Sequence, residues 1–322
     1  MKRAWLFVAG LAAALGSVPA VAAEFPVKPV TLVLGFAPGG PSDVMARILT
    51  KKMEGLLKQP VVIENRAGAG GGIAANAVAR AAPDGHTILL ATGSSLAINV
   101  SLYKNLGYDP EKDFEPISLV GTQTNLLYTH PGSVPAKTLA EFTAWAKPQG
   151  DKLSYATDPG SAGFLAAELY KQLAGVRAAY IPYKGSGPAS ADVLAGHVPY
   201  MWSVISIVTP HVRSGKMKGL AIAAEKRAPG LPDVPTTAEA GMPDFAVSGW
   251  YGLLAPAKTP KDIVDKVHAA AAKALKDGKV LERLAASGSQ PIGAGPAELD
   301  AHIRREIARW DKVLRTAGIQ LK

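Results

Sequence analysis

GFAPGGPSDVMAR, residues 35–47, is the stretch of sequence that decides the fold. The apolar run from Val30 to Gly35 predicts a β-strand, which passes through the paired glycines Gly39 and Gly40 directly into a helix. The first-turn N–H groups of a helix have no partner within the helix, and the helix dipole places partial positive charge at that end. The segment therefore indicates either a backbone site for a carboxylate or phosphate, or an ordinary tight turn.

The residue types that follow the loop fit the start of a helix. Pro41 suits the first turn, and Asp43 can pair with Arg47, because residues four apart share a helix face. The loop has neither the Gly-Lys-Ser/Thr ending of a Walker A motif nor the G-x-G-x-x-G pattern of a dinucleotide-binding turn. Nucleotide phosphates are therefore disfavoured as ligands.

The N-terminal 23 residues have the pattern of a secretory signal peptide. Lys2 and Arg3 precede an apolar run from Trp5 to Leu15, and small residues follow. Cleavage near Ala22 to Glu24 would export a soluble protein, because the apolar run is short for a membrane-spanning helix. The whole chain has no cysteine, which excludes a lipid anchor on Cys.

Composition limits the class of protein. The 322 residues are 48% hydrophobic and include no cysteine, so a hydrophobic core must supply the stability, and disulfides and thiolate metal sites are excluded. This length predicts about two domains. The formal net charge of +9 becomes 9 − 2 = +7 without the two cations of the signal peptide, and it attracts small anions. The cations are scattered and not interleaved with aromatic residues, which argues against nucleic-acid binding.

Short apolar runs alternate with amphipathic helical stretches, which predicts repeated β-α-β units and parallel sheets. Ligands bind such sheets beyond the carboxyl ends of the strands, where the loops at Gly39 and Thr92 both emerge. A second α/β unit repeats the order of strand, Gly/Ser loop and helix at residues 153–173. Extended crossings near Leu119 to Tyr128 and Val247 to Leu254 predict a bilobed protein with a cleft between its lobes.

The predicted elements cover most of the mature chain. Strands are predicted at residues 30–35, 61–64, 87–92, 117–128, 153–156, 179–182, 198–204, 219–224 and 245–254. Helices are predicted at 42–57, 72–81, 139–147, 260–276, 280–286 and 296–317, and within the segments 158–173 and 182–196.

Seven strings, in order along nearly the whole mature chain, resemble the Bug, or TctC-type, solute receptors of tripartite tricarboxylate transporters. They are FAPGGPSDVMAR (36–47), VVIENRAGAGGGIAA (61–75), PDGHTILLAT (83–92), INVSLYKNLGYDPEKDFEPIS (98–118), AELYKQLAG (167–175), IPYKGSGPASADVLAGHV (181–198) and LPDVPTTAEAGMPDF (231–245). Several strings in the right order are far more specific than one glycine loop.

The resemblance implies a type II periplasmic-binding-protein-like fold, with two α/β domains, two crossing strands and a ligand cleft. Residues 24–123 and 250–322 would form domain 1, and residues 124–249 domain 2. Such a protein captures a small carboxylate in the periplasm and delivers it to a membrane permease, without chemistry on the ligand and without a cofactor. We expect a monomer. A receptor that reports to a sensor protein would have the same fold and pocket, so that alternative stays open.

The resemblance also implies that the loop from Phe36 to Gly40 holds the ligand carboxylate through backbone N–H groups and waters. Carried over by position, the ligand-binding residues of domain 1 are Phe36, Ala37, Gly39, Gly40, Asp43, Thr92 and Ser94. Those of domain 2 are Thr157, Gly160, Ser161, Phe164, Ser186, Asp192, Trp202 and Ser203. Asp43 and Asp192 have an alternative role as first-turn helix residues, and Gly70 to Gly72 are expected to allow tight packing.

The sequence departs from the family pattern in domain 2. Many relatives carry a polar residue, often His, where Phe164 stands, and an Asp-Asn pair where Ser203 and Val204 stand. The loss of polarity predicts an apolar wall, formed by Phe36, Phe164, Trp202 and Trp250. Such a wall favours a ligand with one carboxylate and an apolar or aromatic body. The alternative is that these aromatic side chains belong to the core.

A secreted hydrolase is the competing class of protein. It would need a nucleophile with a base, but the chain has no G-x-S-x-G elbow. None of the six histidines lies in H-E-x-x-H or in another recognisable ligand pair. Neither catalytic residues nor a metal site are therefore predicted.

Overall fold

The structure is a computed structural model that describes residues 24–159, 161–183, 185–224, 226–243, 245 and 247–317. The predicted signal peptide and Gly160 lie outside these residues. Within the described ranges, no helix combines the length and the apolar character that crossing a membrane requires.

Strands and helices alternate along the described chain. The strands are β1 (Val30–Leu34), β2 (Val61–Asn65), β3 (Thr87–Thr92), β4 (Phe114–Thr129), β5 (Ser154–Thr157), β6 (Ala179–Pro182), β7 (Tyr200–Val204), β8 (Lys218–Ala223), β9 (Ser248–Pro256) and β10 (Ser289–Ala294). The helices are α1 (Pro41–Leu57), α2 (Gly72–Ala79), α3 (Asn99–Leu102), α4 (Leu139–Ala146), α5 (Ala162–Ala174), α6 (Ser186–Leu194), α7 (Ile205–Arg213), α8 (Lys261–Ala274), α9 (Gly278–Ala286) and α10 (Pro296–Ala317). A π-helical turn, Ser94–Ile98, precedes α3.

Every strand and helix predicted from the sequence is present, with ends shifted by a few residues. The prediction omitted α7, β10 and the helical segment at residues 94–102. Pro210 lies inside α7, and a proline argues against a helix interior. β10 contains Pro291 and Gly293, which are rare in strands. These residues disfavour a helix or a strand, which explains why α7 and β10 were not predicted. In the structure, tertiary contacts override that local preference.

β4 joins the two halves of the sheet. Its residues Phe114–Thr124 pair antiparallel with β9, and its residues Asn125–Thr129 pair antiparallel with β7 and β8. The strand order is β2-β1-β3-β9-β4-β7-β5-β6, with β10 and β8 also paired to β4. β1 is parallel to β2 and β3, and β5 is parallel to β6 and β7. Each half therefore contains the parallel β-α-β arrangement that the sequence predicts.

The hydrophobic core covers both halves of the sheet. One cluster includes Leu89 of β3, Leu127 of β4 and Tyr155 of β5, so it is continuous from the first half to the second. A second cluster packs α1 and α8 against the first half, and a third lies between β4, α6 and α7. The helix α10 contacts β4 and α3, and its Trp310 is buried in the continuous cluster. The C-terminal helix therefore packs against the rest of the chain.

The glycine-rich segment after β2 packs behind the β1–α1 loop. A Cβ atom on Gly35 would lie 2.4 Å from the Cα atom of Gly71, so the backbone of Gly71 leaves no room for a side chain at Gly35. Gly70 to Gly72 do not line the cavity described below. Their predicted role in tight packing is confirmed for Gly71.

Candidate functional site

A cavity of about 530 Å³ lies where loops from both halves of the sheet meet. The β1–α1 loop and the loop after β3 contribute from the first half, and the loops after β5, β6 and β7 contribute from the second. Residues of β4, β9 and α10 complete the lining. The cavity therefore lies beyond the carboxyl ends of parallel strands, the usual ligand position in α/β sheets.

Four helices begin at this cavity. The lining includes Ser42 of α1, Gly163 of α5, Ser186 of α6 and Ser206 of α7, each in the first turn of its helix. The first-turn N–H groups and the helix dipoles favour an anion here. No described residue in the lining is Lys, Arg or His. An anion in the cavity would consequently be held by backbone groups and neutral side chains.

The loop between β1 and α1 is fixed from behind by two side chains. The Asp43 carboxylate accepts hydrogen bonds from Gly39 N at 3.0 Å and from Arg47 Nε at 2.7 Å. The Asn65 side chain donates to the Phe36 carbonyl at 2.9 Å. These bonds hold the loop in place at the cavity, so the N-terminus of α1 is preorganised for a ligand.

Asp43 itself is buried, with 3% of the residue exposed, and it does not line the cavity. Burial acts to raise the pKa of Asp43, but the hydrogen bonds from Arg47 and Gly39 outweigh it and hold the pKa below its usual range. The predicted pairing of Asp43 with Arg47 is confirmed at 2.7 Å. Asp43 positions the loop, and the structure supports its alternative role in the first turn of a helix.

The structure brings nine of the predicted site residues to the cavity. They are Phe36, Ala37, Gly39, Gly40, Thr92, Ser94, Ser161, Ser186 and Ser203. Five others do not line it, namely Asp43, Thr157, Phe164, Asp192 and Trp202. Gly160 lies outside the described residues.

Phe164 and Trp202 require a correction to the predicted apolar wall, because both lie in the core. Trp202 is fully buried and stacks on Phe245 at 4.8 Å between ring centroids, and Phe164 packs against Tyr180 at 5.1 Å. Side chains that are adjacent along a strand point to opposite faces, so Ser203 lines the cavity while Trp202 points away from it.

Thr157 and Asp192 also lie away from the cavity. Thr157 is buried, and its hydroxyl is 3.1 Å from the Ser161 hydroxyl. Asp192 lies near the end of α6, where it accepts a hydrogen bond from the Tyr183 hydroxyl at 2.6 Å. The polar groups of both side chains therefore have hydrogen-bonding partners within the protein.

The cavity has an apolar wall, which includes two of the four aromatic residues predicted from the sequence. Phe36 and Trp250, both named in the sequence prediction, line it together with Trp310 of α10. Glu306, one turn before Trp310, also lines the cavity and accepts a hydrogen bond from Trp310 Nε1 at 2.9 Å. Sequence reasoning missed Glu306 and Trp310, because no local pattern shows that a helix so distant in sequence reaches the site.

Three residues of the cavity lining have polar side-chain atoms without partners. Thr92 Oγ1, Asn125 Oδ1 and Trp250 Nε1 are buried and have no hydrogen-bond partner in the described part of the chain. The Asn125 amide nitrogen donates to the Val247 carbonyl at 3.1 Å, which identifies the unpartnered atom as the acceptor oxygen. Buried polar groups normally have partners, so these atoms mark positions where a ligand or water would bind. Sequence reasoning missed Asn125, and the available signal was a polar residue within the apolar run of β4.

Asp158 is the second carboxyl group of the cavity, and sequence reasoning missed it. It directly follows β5, is 8% exposed, and accepts a hydrogen bond from the Ser186 hydroxyl at 2.8 Å. Burial raises the pKa of Asp158, and the hydrogen bonds from Ser186 and Ser161 offset part of that rise. Its position after a strand, in a Gly/Ser loop, was the available signal.

Two α/β halves with a cavity lined by helix N-termini define a solute-binding protein. A sequence model of the tripartite tricarboxylate transporter family receptor matches residues 45–319. The chain belongs to this receptor family. Protein BugT of Bordetella pertussis is 38% identical over 320 residues, which cover 99% of this chain and 96% of that protein.

Solved structures of similar proteins carry the same fold. MatC from Rhodopseudomonas palustris, with bound malate, is 40% identical and superposes with a TM-score of 0.83 over 90% of this chain and 100% of that one. An R. palustris protein with adipate is 35% identical, with a TM-score of 0.88 over 92% and 100%. The solved relatives include a periplasmic binding protein. The predicted family and bilobed α/β fold are confirmed.

Proposed function

We propose that this protein is an exported receptor that captures a small carboxylate in its cavity and delivers it to a tripartite tricarboxylate transporter permease. The observation that carries the proposal is the convergence of four helix N-termini on a cavity whose described lining has no cationic side chain. Family membership supports the role of receptor. The carboxylates named for two solved relatives, malate and adipate, support the ligand class.

The N-terminus of α1 would hold the carboxylate. Pro41 has no N–H group, and Asp43 already uses the N–H of Gly39, so the proposed donors are the N–H groups of Gly40 and Ser42. Thr92, the last residue of β3, and Ser94, two residues later, would add hydroxyl groups. Hydrogen bonds to a charged acceptor contribute about 1.5–3 kcal/mol each, and micromolar affinity needs about 8 kcal/mol. A few such hydrogen bonds, together with the burial of ligand surface, are enough for micromolar affinity.

The middle of the ligand would be apolar. Phe36, Trp250 and Trp310 supply an aromatic surface in the same cavity, in place of the Phe164 and Trp202 wall predicted from the sequence. Burial of apolar ligand surface against these rings contributes about 25 cal/mol per Å². A monocarboxylate with an alkyl or aromatic body fits this lining better than a small polar tricarboxylate.

The two lobes would meet within β4. Its pairing partner changes from β9 to β7 and β8 between Thr124 and Asn125. This change supports the boundary proposed from the sequence, with residues 24–123 and 250–322 in one lobe and 124–249 in the other. Ligand contacts from both lobes would favour a closed form.

Calorimetric titration of a monocarboxylate panel, with citrate as the polar comparison, tests the proposed carboxylate site. We expect Gly40→Val to weaken binding about tenfold or more, because its side chain crowds the backbone donors of the β1–α1 loop. Gly40 has extended backbone angles that valine adopts, so the fold should persist. Gly55→Val on the exposed side of α1 is the matched control and should bind as the wild type does. Equal affinity of Gly40→Val and wild type would contradict the assignment.

A further inference from the structure

Asp158 is the carboxyl group of the cavity that no cation among the described residues balances. Glu306, the other carboxyl group in the lining, forms an ion pair with Arg309 at 3.3 Å and accepts a hydrogen bond from Trp310. Asp158 has only hydroxyl and backbone partners in the described part of the chain, with Ser186 Oγ at 2.8 Å. Burying a carboxylate without a cation costs free energy, and burial raises the pKa of Asp158 accordingly.

A second acceptor lies on the same half of the sheet. Asn125 pairs with Val204 in β4 and β7, and β7 pairs with β5, which ends at Thr157. The strand order β4-β7-β5 therefore places Asn125, in β4, and Asp158, directly after β5, on opposite sides of β7. Asn125 Oδ1 is buried and has no partner among the described residues. Asp158 and Asn125 are thus two side-chain acceptors in the second half of the sheet, beside the N-termini of α5, α6 and α7, and the N-terminus of α1 presents donors from the first half.

We propose that the ligand carries a protonated amine that pairs with Asp158, in addition to the carboxylate held by the N-terminus of α1. This inference rests on the function proposed above. The amine balances the Asp158 charge and can donate to neighbouring acceptors, and the ligand body between the two ends lies against Phe36, Trp250 and Trp310. The ligand class is therefore an aminocarboxylate with its amine remote from its carboxylate.

Other chemical groups fit Asp158 less well. A second ligand carboxylate would place two like charges in one site, which opposes ionisation of both. A hydroxyl would donate a hydrogen bond to Asp158 but would leave its charge unbalanced. Asp158 therefore selects against dicarboxylates such as the malate and adipate named for two solved relatives.

Calorimetric titration with five-carbon probes distinguishes which chemical group of the ligand pairs with Asp158. The probes are 5-aminopentanoate, 5-hydroxypentanoate, pentanoate and glutarate, with the corresponding four- and six-carbon series covering other lengths. For the wild type we expect the aminocarboxylate to bind about ten- to hundredfold more tightly than pentanoate, the worth of a charge-assisted hydrogen bond. Glutarate should bind less tightly than pentanoate.

Asp158→Asn should abolish the preference for the amine and improve the binding of glutarate. The variant keeps an oxygen that accepts from Ser186, so the loop should stay folded, as circular dichroism would verify. Asp151→Asn is the matched control, because Asp151 is an exposed residue of the same half, paired with Arg177. It should retain the wild-type order of ligands.

Two results would overturn the inference. In the first, glutarate, 5-hydroxypentanoate or pentanoate binds the wild type as tightly as 5-aminopentanoate does at every chain length. In the second, Asp158→Asn keeps the preference for the amine, which would assign Asp158 only to holding the start of α6. Either result leaves carboxylate binding in place. If the wild type binds no member of any series, the proposed function fails as well, so the two failures are distinguishable.

Discussion

The buried carboxylate of Asp43 positions the β1–α1 loop at the scale of a single residue. It joins Arg47, one turn along α1, to the backbone of Gly39 in the loop. Because these bonds favour the charged form, the pKa of Asp43 is held below its usual range despite burial. The loop geometry at the cavity therefore depends on a residue that does not touch the cavity.

Asp43→Asn should lower the free energy of unfolding by about 1–3 kcal/mol at neutral pH, the cost of disrupting a buried charged hydrogen bond. A lowered pKa stabilises the fold above the unfolded-state pKa near 3.9, and this stabilisation is lost as the pH falls through the folded-state pKa. The difference between wild type and variant should therefore shrink in acid. Urea unfolding of the wild type and of Asp43→Asn at several pH values measures this difference in the free energy of unfolding.

Asp151→Asn serves as the control for this series, since its exposed ion pair with Arg177 contributes little to stability. We expect it to unfold as the wild type does at neutral pH. If Asp43→Asn were equally stable at neutral pH, the Asp43 network would not hold the loop as described.

At the scale of elements, the start of α5 packs directly on β7. A Cβ atom on Gly163 would lie 2.3 Å from the Trp202 carbonyl oxygen, far inside contact distance. The side chain of Ser161 accepts a hydrogen bond from Phe164 N at 3.0 Å and caps this helix. The close approach places the N-terminus of α5 at the cavity.

Gly163→Ala should lower the free energy of unfolding by about 1–3 kcal/mol, because the added methyl group forces α5 away from the backbone of β7. Gly55→Ala adds the same methyl group to an exposed position of α1, where no atom lies within 4 Å, and should instead stabilise the protein by about 0.5–1 kcal/mol. Urea unfolding of both variants measures these opposite signs. Equal stability of the two variants would refute the packing argument.

Local patterns predicted most of the elements, and the reason is visible in particular residues. The apolar run at Val30 to Gly35 and the helix after Pro41 need only their own sequence to form. α7 was not predicted because Pro210 argues against a helix interior, whereas in the structure Ile205 and Val208 of this helix pack in the core. β10 pairs with β4, more than a hundred residues away, and such pairing has no local signal.

At the scale of the whole molecule, one of the hydrophobic clusters crosses between the two halves of the sheet. Leu89, Leu127 and Trp202 belong to a single cluster of buried residues, although they come from β3, β4 and β7. β4 itself is shared by both halves. The two halves of the sheet therefore share buried contacts.

A shared core predicts that heat unfolds both halves together. Differential scanning calorimetry should show one transition whose calorimetric and van't Hoff enthalpies agree. A bound carboxylate should raise the midpoint without splitting the transition, because a ligand stabilises the folded state by mass action. Circular dichroism at the same heating rate gives an independent midpoint. Two resolved transitions would show that the halves unfold separately.

The candidate site was predictable to the extent that it is built from local backbone geometry. The loop from Phe36 to Gly40 and the helix start at Ser161 were predicted, because a strand followed by a Gly/Ser loop and a helix presents N–H groups wherever it occurs. Trp202 was misplaced because the sequence pattern did not show which face of β7 meets the cavity. Glu306 and Trp310 were missed because their approach depends on the packing of α10.

The sequence by itself determined the family, the order of elements and a helix start suited to an anion, since these follow from short patterns and first-turn N–H groups. Only the tertiary structure decided which side chains meet in the cavity. It placed Asn125 in β4 and Asp158 directly after β5, on opposite sides of β7, and it brought Trp310 from the C-terminal helix to the same cavity. The physical reason is that ligand choice depends on contacts between residues far apart in sequence, and packing alone sets those contacts.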